Sequence, residues 1–328
     1  VEEERLLLLQ KGINKVDFSW KGVKIDPDSI RIQIMSHPKE VVLLSVSYPP
    51  NEDALVWEIN SPQAWEEKIR ISYILSDIDR LVTYKMIADK KETMVDMQSF
   101  LILRNFSGED FENAGFHLDY GEPFTGSIEH QGTKQMQFLQ KNRISIEKVF
   151  TFDAGILPWD PSKVDGNVGI PVTYVIKNEK TSGLGEFALW GGKTRIFQDD
   201  GRDTTIFLGE DNVFFTPVGK KMEILIGDSR DIVVTQHKMK DVRINIRRNS
   251  NNQIILYDTE ESMEVKIENF RDQSTVLTLI QYIYGQWEMS ESSHPYEKEN
   301  AEKIKFLVSV PAHGKETVVF NYNRRNVR

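Results

Sequence analysis

The sequence predicts an all-β chain, built from tandem immunoglobulin-like β-sandwich units with little helix. Three observations carry that prediction. First, apolar and polar residues alternate over residues 14–20, 29–35, 68–74, 264–267 and 303–310. A period of two marks half-buried antiparallel strands, because successive side chains point to opposite faces. Second, turn formers recur at short intervals, among them Lys11-Gly12, Asp26-Pro27, Pro49-Pro50-Asn51, Ser107-Gly108, Asp200-Gly201 and Ala312-His313-Gly314. Short strands with closely spaced turns are the rhythm of sandwiches and barrels. Third, a strand that ends on Asn occurs three times, at Leu103-Arg104-Asn105, Ile176-Lys177-Asn178 and Ile267-Glu268-Asn269. Asn bonds its own turn and tolerates left-handed backbone. The three are unequally spaced, which suits separate modules and not a solenoid.

Taken in order, residues 1–60 read as an N-terminal β unit closed by the turn-rich stretch 51–62. Residues 61–247 read as a central sandwich region, with a Gly-, Pro- and Asp-rich loop at 155–169 between two sheets. Arg247-Arg248-Asn249-Ser250-Asn251-Asn252-Gln253 is fully polar and reads as a linker or hairpin tip. Residues 248–328 then have the size of one small sandwich. Helical signals are scarce. Residues 133–141 are the best candidate, and 61–67 could form one helical turn with Pro62 at its first position. Trp20, Trp57 and Trp287 fall on strands and are expected in the core, with Trp65 plugging the base of the first unit.

Composition narrows function. The 328 residues carry 41 basic and 50 acidic side chains, a net charge of −9, which argues against a duplex-DNA binder. With 39% hydrophobic residues the chain can bury large cores, yet runs such as Leu6-Leu7-Leu8-Leu9 are far too short to span a bilayer. Cysteine is absent, which removes disulfides, zinc-thiolate sites and thiol nucleophiles together. Many exported bacterial proteins lack cysteine, so an extracytoplasmic location is expected. The opening Val1-Glu2-Glu3-Glu4 reads as a mature or trimmed form.

Signatures of chemistry are sparse. No two of the six histidines lie within five residues of each other, so no paired-histidine metal motif exists. Asp199-Asp200-Gly201-Arg202-Asp203 is the densest acidic cluster but lacks the spacing of a calcium-binding loop. A tight hairpin explains it better, with Gly201 at positive φ. Were calcium bound there, it would use oxygens of Asp199, Asp203, Glu210 or Asp211. No G-x-S-x-G elbow occurs, and Gly183-Leu184-Gly185 and Gly191-Gly192 lack phosphate-loop spacing. Trp159, in a Pro-rich loop, and Trp190, beside Gly191-Gly192, could stack on a sugar or anchor a partner; packing over the core is the plainer reading. Asn105-Phe106-Ser107 matches a glycosylation sequon.

Several segments together resemble the DUF4139 domain of mucoidy-inhibitor-A-like proteins. They are Ile71-Ser72-Tyr73, the block Asn105-Phe106-Ser107-Gly108-Glu109-Asp110-Phe111-Glu112-Asn113-Ala114, Thr173-Tyr174-Val175-Ile176-Lys177-Asn178, Phe207-Leu208-Gly209-Glu210-Asp211, and Phe306 onward to Pro311-Ala312-His313-Gly314. The resemblance spans roughly residues 54–323. It departs from the long members in having no coiled-coil insert, and in placing Asp77-Ile78-Asp79-Arg80-Leu81 where an aromatic pair is expected. It implies a fold and export; it implies no chemistry residue by residue.

The expectation is therefore a non-catalytic, exported assembly or adaptor subunit of a larger extracytoplasmic or envelope complex, acting through a protein partner or self-association. Trp159, Trp190, Asp199, Asp200 and Asp203 are the expected contacts, and no cofactor, nucleic acid or membrane span is implied. A glycan-binding envelope module is the alternative, and a hydrolase built from scattered Asp, Glu and His the second.

Overall fold

A computed structural model of the chain describes residues 1–117, 123–157, 160–202 and 204–328. Among them are strands and three single 3-10 turns, and no α-helix. The strands are β1 (Glu2–Leu9), β2 (Gly12–Ser19), β3 (Arg31–Ile34), β4 (Val42–Ser47), β5 (Ala54–Ser61), β6 (Trp65–Ser72), β7 (Ile78–Ala88), β8 (Met94–Asn105), β9 (Phe111–Phe116), β10 (Phe124–Ile128), β11 (Thr133–Asp153) and β12 (Lys163–Val164). They continue as β13 (Ile170–Lys177), β14 (Gly192–Asp199), β15 (Thr205–Val213), β16 (Lys221–Ser229), β17 (Ile232–Arg248), β18 (Ile254–Asn269), β19 (Thr275–Tyr282), β20 (Gln286–Ser292), β21 (Tyr296–Lys298), β22 (Lys303–Val310) and β23 (Lys315–Val327). The all-β prediction holds. No described helix is long and apolar enough to cross a membrane.

The chain divides into two compact units. Unit 1 is Val1–Thr83 with Ser99–Leu139, and unit 2 is Tyr84–Gln98 with Gln140–Arg328. Neither expected boundary coincides with this division. Residue 60 lies inside one core, since Ile59 on β5 and Ile69 on β6 pack in the same buried cluster. Residue 248 lies at a hairpin tip: β17 and β18 pair from Ile232 opposite Asn269 to Arg248 opposite Ile254, with register shifts at Lys238–Lys240, Ile244–Arg247 and Arg247–Arg248. The polar run 247–253 is thus a turn, tied by Asn249 Oδ1 accepting from Asn251 N and Gln253 N.

Unit 1 contains two three-stranded sheets, ordered β1-β6-β3 and β2-β5-β4. Side chains from both build a single core. Trp57 and Trp20 are buried there as expected, with the Phe18 ring 5.5 Å from Trp57 and 6.0 Å from Tyr73. The helical turn expected at 61–67 does not form. Instead β6 starts at Trp65, because Glu67, Ile69 and Ile71 bury alternate positions and only a strand presents that period. Trp65 stacks on His37 at 3.8 Å and 3°. The helix expected at 133–141 is likewise the first part of β11, where half-buried Met136 and Phe138 stand two apart, either side of exposed Gln137, and Leu139 is buried.

Unit 2 is a sandwich. The sheet β12-β17-β18-β23-β20 packs against β11, β13, β19 and β22 of a second sheet, and Val265, Phe320, Phe152, Leu279 and Phe306 are buried between them. Trp287 is half-buried against this core, its Nε1 donating to Ala301 O at 2.7 Å.

The three strand-ending asparagines do one job. Each is buried. Asn105 donates from Nδ2 to Glu109 O and accepts at Oδ1 from Ser107 N and Oγ. Asn178 donates to Phe187 O and Thr216 O and accepts from Gly185 N. Asn269 donates to Gln273 O and Pro311 O and accepts from Arg271 N. A side-chain amide offers both donors and an acceptor, so one residue satisfies loop groups that the sheet ladder leaves behind. None of the three has positive φ, so hydrogen bonding, and not left-handed backbone, is what Asn supplies here. Burial of Asn105 also keeps its amide from acting as a glycosylation acceptor in the folded chain.

Candidate functional site

Of the expected contact residues, Trp159 and Asp203 lie outside the described residues. The others have structural partners. Asp199 Oδ1 accepts from Gly201 N at 2.7 Å, and Asp200 accepts from Arg202 N, Thr204 N and Thr204 Oγ1. These bonds fold the tip between β14 and β15, and Gly201 has φ +76° as the hairpin reading requires. The Thr204 hydroxyl and the Arg202 amide hold the Asp200 carboxyl below its ordinary range. Glu210 pairs with Lys193 at 2.6 Å and Arg195 at 2.8 Å, which lowers its pKa as well. Asp211 accepts from Asn212 N and Leu225 N. The oxygens of Asp199, Glu210 and Asp211 thus serve backbone amides and ion pairs, and among the described residues no group of three or more His, Asp or Glu is placed to hold a metal.

Trp190 is half-buried. Its carbonyl accepts the Tyr84 hydroxyl at 2.7 Å, and its ring meets Phe215 edge-on at 6.3 Å. Burial pushes the Tyr84 hydroxyl well above its ordinary pKa. Gly191 sits in close approach to the backbone: an added Cβ would stand 3.2 Å from Phe215 N and Val213 O. The core-covering role therefore accounts for Trp190, while next in the chain to its partner, Phe214 is 89% exposed.

The strongest surface feature is one the residue patterns did not single out. All six residues of β4 are exposed. β4 is the outer strand of β2-β5-β4, and among the described strands it pairs with β5 alone. Leu43 lies opposite Ile59 and Val46 opposite Trp57, both fully buried partners, so Leu43 and Val46 point to the core side of the sheet. Yet they remain 38% and 41% exposed, although the β5 residues opposite them are buried. A bulge between Leu43 and Ser45 turns Leu44 outward, 51% exposed.

Charge sharpens the contrast with neighbouring edges. Within the two three-stranded sheets of unit 1, the outer strands are β1, β3, β2 and β4. β1 carries Glu2, Glu3, Glu4 and Arg5, β2 carries Lys15 and Asp17, and β3 carries Arg31. β4 carries no charge at all. Charged side chains are the usual protection of a free edge against pairing with other chains. The signal was present in Val41-Val42-Leu43-Leu44, an apolar run where a half-buried strand would alternate. Comparisons with family profiles, with characterised proteins and with solved structures find no match for this chain.

Proposed function

We propose that this chain is a non-catalytic assembly or adaptor subunit, working outside the cytoplasm, that captures an extended apolar segment of a partner polypeptide along β4. The open, uncharged edge is the observation that supports it. An added strand gains a row of main-chain hydrogen bonds, and its alternate side chains cover Leu43 and Val46. Those two side chains now face water, a cost that burial would remove at roughly 25 cal/mol per Å² of apolar surface. The bulge at Leu44 breaks the regular ladder, which disfavours indiscriminate pairing of one copy with another and favours a partner matched to it. The lack of cysteine and the resemblance to mucoidy-inhibitor-A-like proteins motivate the extracytoplasmic placement.

The test is purification from a native extract of the wild type and of Leu43→Lys and Leu44→Lys chains. One defined companion should co-elute with the wild type at fixed stoichiometry and be lost from both variants, while the variants keep their circular dichroism. Retention of the same companion by both variants would sink the proposal. A wild type that self-associates through β4 would make the partner a second copy.

A further inference from the structure

A cleft of about 180 Å³ opens at one end of the unit 2 sandwich, distant in sequence from β4. Its floor is polar and built. Glu261, on β18, is buried, and four groups converge on its carboxylate. Oε1 accepts from Thr259 Oγ1 at 2.7 Å and Arg324 Nη1 at 3.4 Å; Oε2 accepts from Tyr322 Oη at 2.8 Å and lies 2.9 Å from Lys238 Nζ. Burial alone would raise the Glu261 pKa, but the bonds from Lys238, Thr259 and Tyr322 outweigh it and hold the carboxyl below its ordinary value. Beside this floor the buried amides of Gln281 and Gln236 are joined at 2.7 Å. The wall is aromatic: Tyr282 and Tyr284 stack at 6.3 Å and 19°, and Tyr284 is 57% exposed. Gly155 makes room for that wall, since an added Cβ would stand 2.5 Å from the Tyr282 ring.

We infer that this cleft is a second binding site, separate from β4, and that it takes one neutral sugar residue. Charge balance selects a neutral ligand. Lys238 and Arg324 are matched by Glu261 and by Asp241, 3.5 Å from Lys238 Nζ. Hydrogen-bonding capacity selects a polyol. An ammonium carries three donors and a guanidinium five, more than the contacts above use, and the amides add acceptors and donors in fixed positions. The exposed tyrosine ring offers a flat face for the apolar side of a pyranose. Size selects one residue, because the cleft is smaller than the roughly 300–1,000 Å³ of sites for drug-sized ligands.

The test is saturation-transfer NMR and titration of the whole chain with the methyl glycosides of glucose, galactose, mannose and N-acetylglucosamine, followed by their linear oligosaccharides. At least one glycoside should bind with a Kd of about 1 mM, as befits a small ligand with few contacts. Tyr284→Ala, at an exposed position, should weaken it about three- to ten-fold without altering circular dichroism. Leu44→Lys should leave it unchanged, so failure here and failure of the strand-capture proposal are read separately. Tighter binding of an oligosaccharide than of its methyl glycoside assigns the cleft to a glycan end, and equal binding assigns it to a free sugar. No saturable glycoside, or an unchanged Kd in Tyr284→Ala, overturns the inference.

Discussion

The open edge of unit 1 and the polar cleft of unit 2 depart from ordinary partitioning in opposite directions. At β4 the chain leaves Val42, Leu43, Leu44 and Val46 in water; in the cleft it takes Glu261, Gln236 and Gln281 out of water. Buried polar groups and exposed apolar strands are the informative departures, since scattered surface apolar residues are normal. The two differ in what the isolated fold needs. The cleft residues are bonded to one another, so removing one leaves a buried partner unsatisfied and costs stability. The apolar side chains of β4 make no hydrogen bonds and are largely exposed, so replacing one should cost little until a second chain is involved.

That difference can be broken by substitution. The largest expected effect on stability is at a buried corner of unit 2. Asn269→Leu strands the carbonyls of Gln273, Val310 and Pro311 and the Arg271 amide, and should lower unfolding free energy by about 3–5 kcal/mol in urea titration. A loss below about 1 kcal/mol would mean that water satisfies the corner.

Next comes the cleft. The folded pKa of Glu261 is held below the ordinary 4.5, so its contribution is complete above that value and is lost as pH falls through the lowered folded pKa. Glu261→Gln should be about 1–3 kcal/mol less stable at neutral pH, and the gap to wild type should close on acidification. A gap independent of pH would show that packing, not charge, is what Glu261 supplies beneath Lys238, Arg324 and Tyr322.

Smaller still is Asp200→Ala. It should speed amide exchange at Arg202 and Thr204, whose N–H groups Asp200 accepts, and leave the rest of the sandwich unchanged. Exchange spreading into β14 would show that the turn also supports the sheet. Leu44→Lys should change stability by less than about 0.5 kcal/mol, the usual limit for surface sites, and a larger loss would return β4 to the fold's own packing.

What could be read from residues alone follows from range. The strands at 14–20 and 303–310 were visible because alternation is local, and β2 and β22 fall there. The strand-ending Asn repeats were visible too, although their bonds reach loops far along the chain, as from Asn178 to Thr216 O. Residues 133–141 misled because their apolar positions are few and the long pairing that makes β11 a strand is not local. The cleft was hidden for the same reason: Glu261, Gln281 and Tyr322 meet only when three strands are assembled. Asp199 and Asp200 looked like a site because a carboxylate that caps a turn and one that binds an ion have the same local sequence.

Strand capture at β4, as proposed, would cover the outward amides of this edge. The most direct measurement is hydrogen exchange at residues 42–48, with the isolated chain set against the chain in its native assembly. Isolated, β4 has one ladder, to β5, and its outward amides should exchange fast. In the assembly those amides should slow by about 100-fold or more, as for strands paired on both sides. Exchange over residues 42–48 that is identical in the two states would contradict strand capture at this edge.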